Sequence, residues 1–126
     1  MAKDKRVFIS FAVEDQTYRN LLVGQAKNSK TPFEFQDFSV KEPWDAKWKT
    51  SCRTKIKGCD GVIALISKNT AKADGQLWEI QCAYEENIPT MLVWVNGERP
   101  KVPALIDGKR INVWNWDNLE AFIDKL

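Results

Sequence analysis

No histidine occurs among the 126 residues, which removes the usual general base near neutral pH and the commonest metal ligand. Any chemistry therefore falls to carboxylates, hydroxyls, thiols or backbone groups. Among the carboxylates Glu79 stands out, because GQLWEIQCAYEEN (residues 75–87) reads as the opening of a helix with Trp78 and Glu79 side by side in its first turn. A first-turn acid has a purely structural explanation, since it stabilises the positive end of the helix dipole by about 0.3–1 kcal/mol. Wound at about 100° per residue, the helix brings Leu77, Ile80 and Tyr84 together on its buried side and sets Glu79 away from their centre. Solvent and a cleft are both open to such a side chain. The thiols offer less: Cys52, Cys59 and Cys82 form an odd set without C-x-x-C spacing, which argues against a disulfide framework and a zinc site and makes them reduced packing residues. No metal site is expected.

The elements that must position Glu79 follow from patterning. RVFISF (residues 6–11) is apolar and β-branched, and AVED after it lets Asp15 cap a helix carrying Tyr18, Leu21, Leu22 and Ala26 at helical spacing. FEFQDF (33–38) alternates as a strand does, and SVKEP follows as a loop closed by Pro43. Trp44, Trp48, Cys52 and Ile56 recur every fourth residue along one side of a second helix that ends at Gly58. Lys47, Lys49, Arg53, Lys55 and Lys57 occupy the rest, a charged face read as solvated. VIALIS (62–67) is apolar throughout, as expected of a central strand covered on both faces. The Glu79 helix comes next, capped by Asp74, and PTMLVWV (89–95) supplies a fourth buried strand. NGERPKVPALIDG interrupts the pattern as a loop before RINVW (110–114), a short fifth strand. Asp117 with Glu120 gives a capping-box-like start to a final helix whose Leu119, Phe122, Ile123 and Leu126 share one face. Trp114 and Trp116 read as packing groups near the last strand.

A β-α unit repeated five times predicts an α/β fold, a flavodoxin-like five-stranded parallel sheet of order 2-1-3-4-5 with helices on both faces. The chain, residues 1–126, reads as a single domain. Hydrophobic residues at 44% and charged residues at 29% suit a globular chain. No stretch approaches the roughly 18 apolar residues of a membrane span. The basic start MAKDKRVFISF has too short an apolar stretch for a secretory signal, so the expected location is cytoplasmic. A net charge of +2 demands neither nucleic acid nor membrane as partner.

Ligands of open α/β sheets sit beyond the carboxyl ends of the strands where the strand order reverses, here between strands one and three. FAVED and SKNTAKADGQLWE border that crevice, and Glu79 belongs to the second. Three common tenants fail on their required groups. The chain has no G-x-G-x-x-G or G-x-x-x-x-G-K for a nucleotide phosphate. Glu14 and Asp15 after strand one would repel a flavin phosphate. A phospho-receiver needs an aspartate at the end of strand three, where Ser67 and Lys68 stand.

Taken in order, RVFISFAVED, FQDFSVKEPW, CDGVIALIS and WEIQCAYEENIPTMLVWV make the chain resemble a TIR-like domain, in particular the small prokaryotic TIR-like proteins of Thoeris-type antiphage defence. That resemblance implies a catalytic glutamate early in the third helix, often as W-x-x-x-E followed by an aliphatic residue. Glu79 and Ile80 fit it; the tryptophan is Trp78 instead, and Gly75 holds the place four residues back. It further implies cleavage of the bond between nicotinamide and ribose in NAD, giving ADP-ribose or a cyclised or transferred product, with NAD as substrate and no other cofactor. By position it implies Phe11, Asp37, Trp44 and Ser67 as substrate-binding residues. Strand-end packing for Phe11, a turn hydroxyl for Ser67 and membership of the apolar stripe for Trp44 are the structural alternatives. Self-association through TIR-like surfaces is implied as well. The competing function is a non-catalytic TIR-like interaction module in which Glu79 is only a dipole acid.

Overall fold

The computed structural model describes residues 5–29, 33–38 and 41–126. Ser39 and Val40 of the loop after the second strand, and the first four residues of the basic start, lie outside them. In chain order the elements are β1 (Lys5–Ser10), α1 (Gln16–Ser29), β2 (Phe33–Gln36), α2 (Ala46–Lys57), β3 (Gly61–Ile66), α3 (Asp74–Glu85), β4 (Thr90–Trp94), β5 (Ile111–Asn112) and α4 (Trp116–Asp124). The strands pair in parallel in the order β2-β1-β3-β4-β5, the expected fold. Register sets Val7 opposite Gly61 and Ser10 opposite Ala64, so the carboxyl ends of β1 and β3 lie side by side.

Strand side chains alternate between faces, and that alternation builds two cores. Val7 and Ile9 of β1, Ile63 and Leu65 of β3, and Met91 and Val93 of β4 pack with Leu22 and Val23 of α1 and Leu119 and Ile123 of α4. The intervening Phe8, Val62, Ala64, Ile66 and Leu92 meet the other layer, made of Trp48, Cys52 and Ile56 from α2 and Ile80, Cys82 and Ala83 from α3. Every residue of β3 is buried, as a strand covered on both faces requires. The same alternation points Ser10 toward the α2/α3 layer, where a polar side chain must find a partner.

Several local expectations are corrected. Of the five expected β-α units the fourth has no α-helix among the described residues: the link from β4 to β5, read as a loop, carries only a 3-10 turn, Ala104–Ile106, and Pro100 and Pro103 remove two backbone donors there. Asp15 caps nothing: it closes a 3-10 turn, Val13–Asp15, and its buried carboxylate turns to the loop after β3. Asp74 is the first residue of α3 and makes no side-chain cap, and α4 is capped by Asn115, whose Oδ1 accepts from the Asp117 backbone N–H at 2.8 Å. Glu120 accepts from the indole of Trp116 at 3.1 Å. Asp45, with Oδ1 2.7 Å from the Lys47 nitrogen, caps α2 and leaves Trp44 ahead of the helix, 80% exposed and outside the apolar stripe of Trp48, Cys52 and Ile56. The basic side of α2 is only partly solvated: Arg53 pairs with Glu85 at 2.6 Å and Glu86 at 2.8 Å, and Lys49 lies 4.9 Å from the Trp78 ring centre.

Candidate active site

Because α3 begins at Asp74, Glu79 sits in its second turn, beyond the first-turn positions where the helix dipole alone favours an acid. The buried residues of α3 are Gly75, Gln76, Glu79, Ile80, Cys82 and Ala83, while Leu77 and Tyr84 are only half-buried. The face expected from the aliphatic pattern is thus rotated, and its upper part is polar. Gln76 accounts for part of this: its Nε2 donates to the carbonyls of Ser10 at 3.2 Å and Leu65 at 2.7 Å, tying the ends of β1 and β3 together. Its Oε1 is buried without a hydrogen-bond partner.

Glu79 is fully buried, and an ionised carboxylate so placed needs both a counter-charge and hydrogen bonds. It has both. The Ser10 hydroxyl donates to Oε1 at 2.8 Å, and Lys41 Nζ donates to Oε1 and Oε2, each at 2.8 Å. Lys41 reaches in from the segment after β2; its side chain is 4% exposed, and its Nζ stands 4.4 Å from the centre of the Phe11 ring. The ammonium is therefore held between a carboxylate and an aromatic face, two environments that each favour a cation. Burial pushes the Glu79 carboxyl up to about 7; the Lys41 ammonium and Ser10 hydroxyl pull it back, and Asp37 adds to the rise. Near neutral pH the group thus stands between its neutral and ionised forms, and Lys41 is what favours the ionised one.

The residues expected to line the site are distributed unevenly around it. Phe11 is buried and directly joined to the Glu79–Lys41 pair. Asp37 is engaged by Arg19 of α1, Nε to Oδ2 at 2.6 Å. The Ser67 hydroxyl donates to Asp15 Oδ2 and accepts from the Asn69 backbone N–H at 2.9 Å. Asn69 Nδ2 also donates to Asp15 at 2.9 Å, so the loops after β1 and β3 are laced together through Asp15. Trp44 borders a neighbouring cleft of about 380 Å³ with Pro43, Lys49, Asp74, Leu77, Trp78 and Gln81. Glu79 is not among the residues lining that cleft. Ser10, Lys41 and Gln76 were not anticipated. The polar residue at position 10, on the face that α3 covers, was the one available signal.

The three cysteines are free and buried, and burial raises the Cys59 thiol to about 11. Cys52 is pushed above the ordinary thiol range by its hydrogen bond to Cys82 and by burial. Among the described residues no group of three or more acids and cysteines is placed to hold a metal ion, and no helix is long and apolar enough to cross a membrane.

This sheet order is that of a flavodoxin-like fold, and solved structures of TIR-like and related domains share it. The TIR domain of the Toll-related receptor TRR-2 of Hydra magnipapillata is 17% identical with a TM-score of 0.67, over 94% of this chain and 97% of that one. A prokaryotic SEFIR domain is 16% identical with a TM-score of 0.61, over 95% and 92%. A 2-deoxyribosyltransferase of Bacillus psychrosaccharolyticus is 16% identical with a TM-score of 0.64, over 91% and 90%. At these identities the likeness is one of fold. No curated protein sequence matches the chain. Residues 8–100 match the family model for the Thoeris protein ThsB, TIR-like domain, and the chain belongs to that family.

Proposed function

We propose that this chain is a cytoplasmic TIR-like enzyme that cleaves NAD at the nicotinamide–ribose bond and forms an ADP-ribose-derived signal, linear or cyclic, in antiviral defence. The observation that carries the reading is the Glu79 carboxylate, buried at the β1/β3 crevice and gripping a cation with both oxygens at 2.8 Å. Cleavage of NAD develops positive charge on the ribose as the C–N bond breaks and its electron pair passes to the pyridine nitrogen. Nicotinamide leaves as a neutral molecule, so no acid has to protonate it. This differs from ordinary glycosidases, which generally use a second carboxyl group. One carboxylate facing the developing oxocarbenium ion supplies the stabilisation that matters, more so in a site without water. Water adding to the ribosyl carbon and releasing a proton gives ADP-ribose; an acceptor atom of the same nucleotide held close gives a ring.

Ser10 orients the carboxylate through its hydrogen bond to Oε1, and Gln76 fixes the strand ends on which Ser10 and Phe11 stand. Phe11 offers an aromatic face to the charge. Trp44 and Trp78 in the adjoining cleft suit a flat ring, with Lys49 near enough for a phosphate. Self-association through TIR-like surfaces accompanies this reading. The test is nicotinamide release from NAD by the wild-type protein and Glu79→Gln. The variant keeps the side-chain shape and loses the charge, and its rate is expected to fall by about 100-fold or more. Full activity in a folded Glu79→Gln protein would remove the assignment.

A further inference from the structure

We propose that Lys41 is a built-in occupant of the Glu79 site, a stand-in for a cationic ligand, and that it can lie there only because residue 75 is glycine. The contact is buried: Nζ meets both carboxylate oxygens at 2.8 Å, the Phe11 ring lies 4.4 Å away, and the side chain is 4% exposed. What admits the stem is a notch in the first turn of α3. A Cβ built on Gly75 would fall 2.6 Å from Lys41 Cβ, 2.8 Å from its Cδ and 3.2 Å from its Cγ. Glycine within a helix is less favourable than alanine by about 0.8–1.0 kcal/mol. Nothing in the backbone calls for it here, since Gly75 is not among the residues of positive φ. Its evident structural use is the space it leaves for the lysine.

Two consequences follow. A ligand that reaches Glu79 must first displace Lys41, and the exchange is balanced when that ligand brings its own positive charge beside an aromatic-sized group. This deepens the proposed function and rests on it in one respect only: the oxidised nicotinamide ribosyl group carries such a charge, whereas the reduced, neutral form does not. The second consequence is that the notch sets how firmly the site is shut. At Gly75 the nearest atom is the root of the lysine side chain, so an added methyl group displaces the strap itself and not merely its flexible tip.

The experiment reads the lysine directly. The full chain is treated with formaldehyde and a borohydride reagent under native conditions, and methylation at each lysine is followed by peptide mass spectrometry. In wild type, Lys41 is expected to react about tenfold or more slowly than the exposed Lys68 and Lys72. Gly75→Ala should bring it close to their rate while circular dichroism remains that of a folded chain. Glu79→Gln, which removes the counter-charge without touching the notch, should also release it and serves if Gly75→Ala does not fold. Lys41 reacting as fast as Lys68 in wild type, or staying protected in both folded variants, would overturn the proposal. The reading needs no turnover, so a chain that never releases nicotinamide would refute the proposed function and leave this outcome standing. If both hold, Gly75→Ala lowers KM for NAD.

Discussion

Burial of Glu79 ties stability to pH in a direction opposite to that of an ordinary surface salt bridge. The carboxyl titrates at about 7 in the folded chain against an ordinary value of 4.5, so between these pH values the folded state holds a proton that the unfolded state has lost. Stability from this group is then fully present below about pH 4.5 and is lost as pH rises through 7. At ~1.36 kcal/mol per pH unit the interval corresponds to about 3 kcal/mol. Glutamine at position 79 cannot titrate, which makes Glu79→Gln the reference. Urea denaturation of both proteins from pH 4 to 8 should show wild type losing about 3 kcal/mol relative to the variant, while other titrating groups cancel in the difference. Parallel curves would mean that Lys41 and Ser10 offset the burial completely. A wild type that gains on the variant as pH rises would mean that the pair over-compensates, and the reasoning from desolvation would be wrong.

Other outcomes follow from neighbouring contacts. Lys41→Met removes the ammonium that draws the carboxyl down, so the Glu79 titration should climb above 7, read by carbon-13 NMR of labelled glutamate carboxyls. Breaking the buried pair should cost this variant about 3–5 kcal/mol at pH 8, and far less at pH 5, where the acid is neutral. Ser67→Ala takes a donor from the buried Asp15 carboxylate and should cost about 1–3 kcal/mol in urea denaturation. Trp44→Ala, at an 80% exposed position, should leave stability within about 0.5 kcal/mol. Under the proposed function the same variant raises KM for NAD.

The parallel sheet was legible because its signals are local: the unbroken apolar run of β3, the apolar residues recurring every fourth position in α2, and the short apolar, β-branched run of β1. Errors gathered where a short polar side chain had several partners within reach. Asp15 and Asp74 looked like helix caps, yet Asp15 finds Ser67 and Asn69 across the crevice and Asp74 begins its helix uncapped. Trp44 matched the fourth-residue spacing of α2 but lies before the cap at Asp45, and spacing has no meaning ahead of a helix start. The Glu79 position was legible from the helix and the crevice, but its burial was not. Its partner lies 38 residues away in a loop, and periodicity says nothing about which loop lysine folds over which helix acid. Gly75 was visible as a departure from the expected tryptophan, and its use emerged only when the stem of Lys41 was found lying across it.

In the proposed reaction an ionised Glu79 carboxylate at the end of the sheet stabilises the cation formed when NAD loses nicotinamide. The most direct measurement is kcat/KM for nicotinamide release as a function of pH, which reports the titration of the free enzyme's essential group. The rate should rise with pH through about 7, where Glu79 gives up its proton. A profile flat from pH 5 to 9, or one that falls across that range, would contradict it.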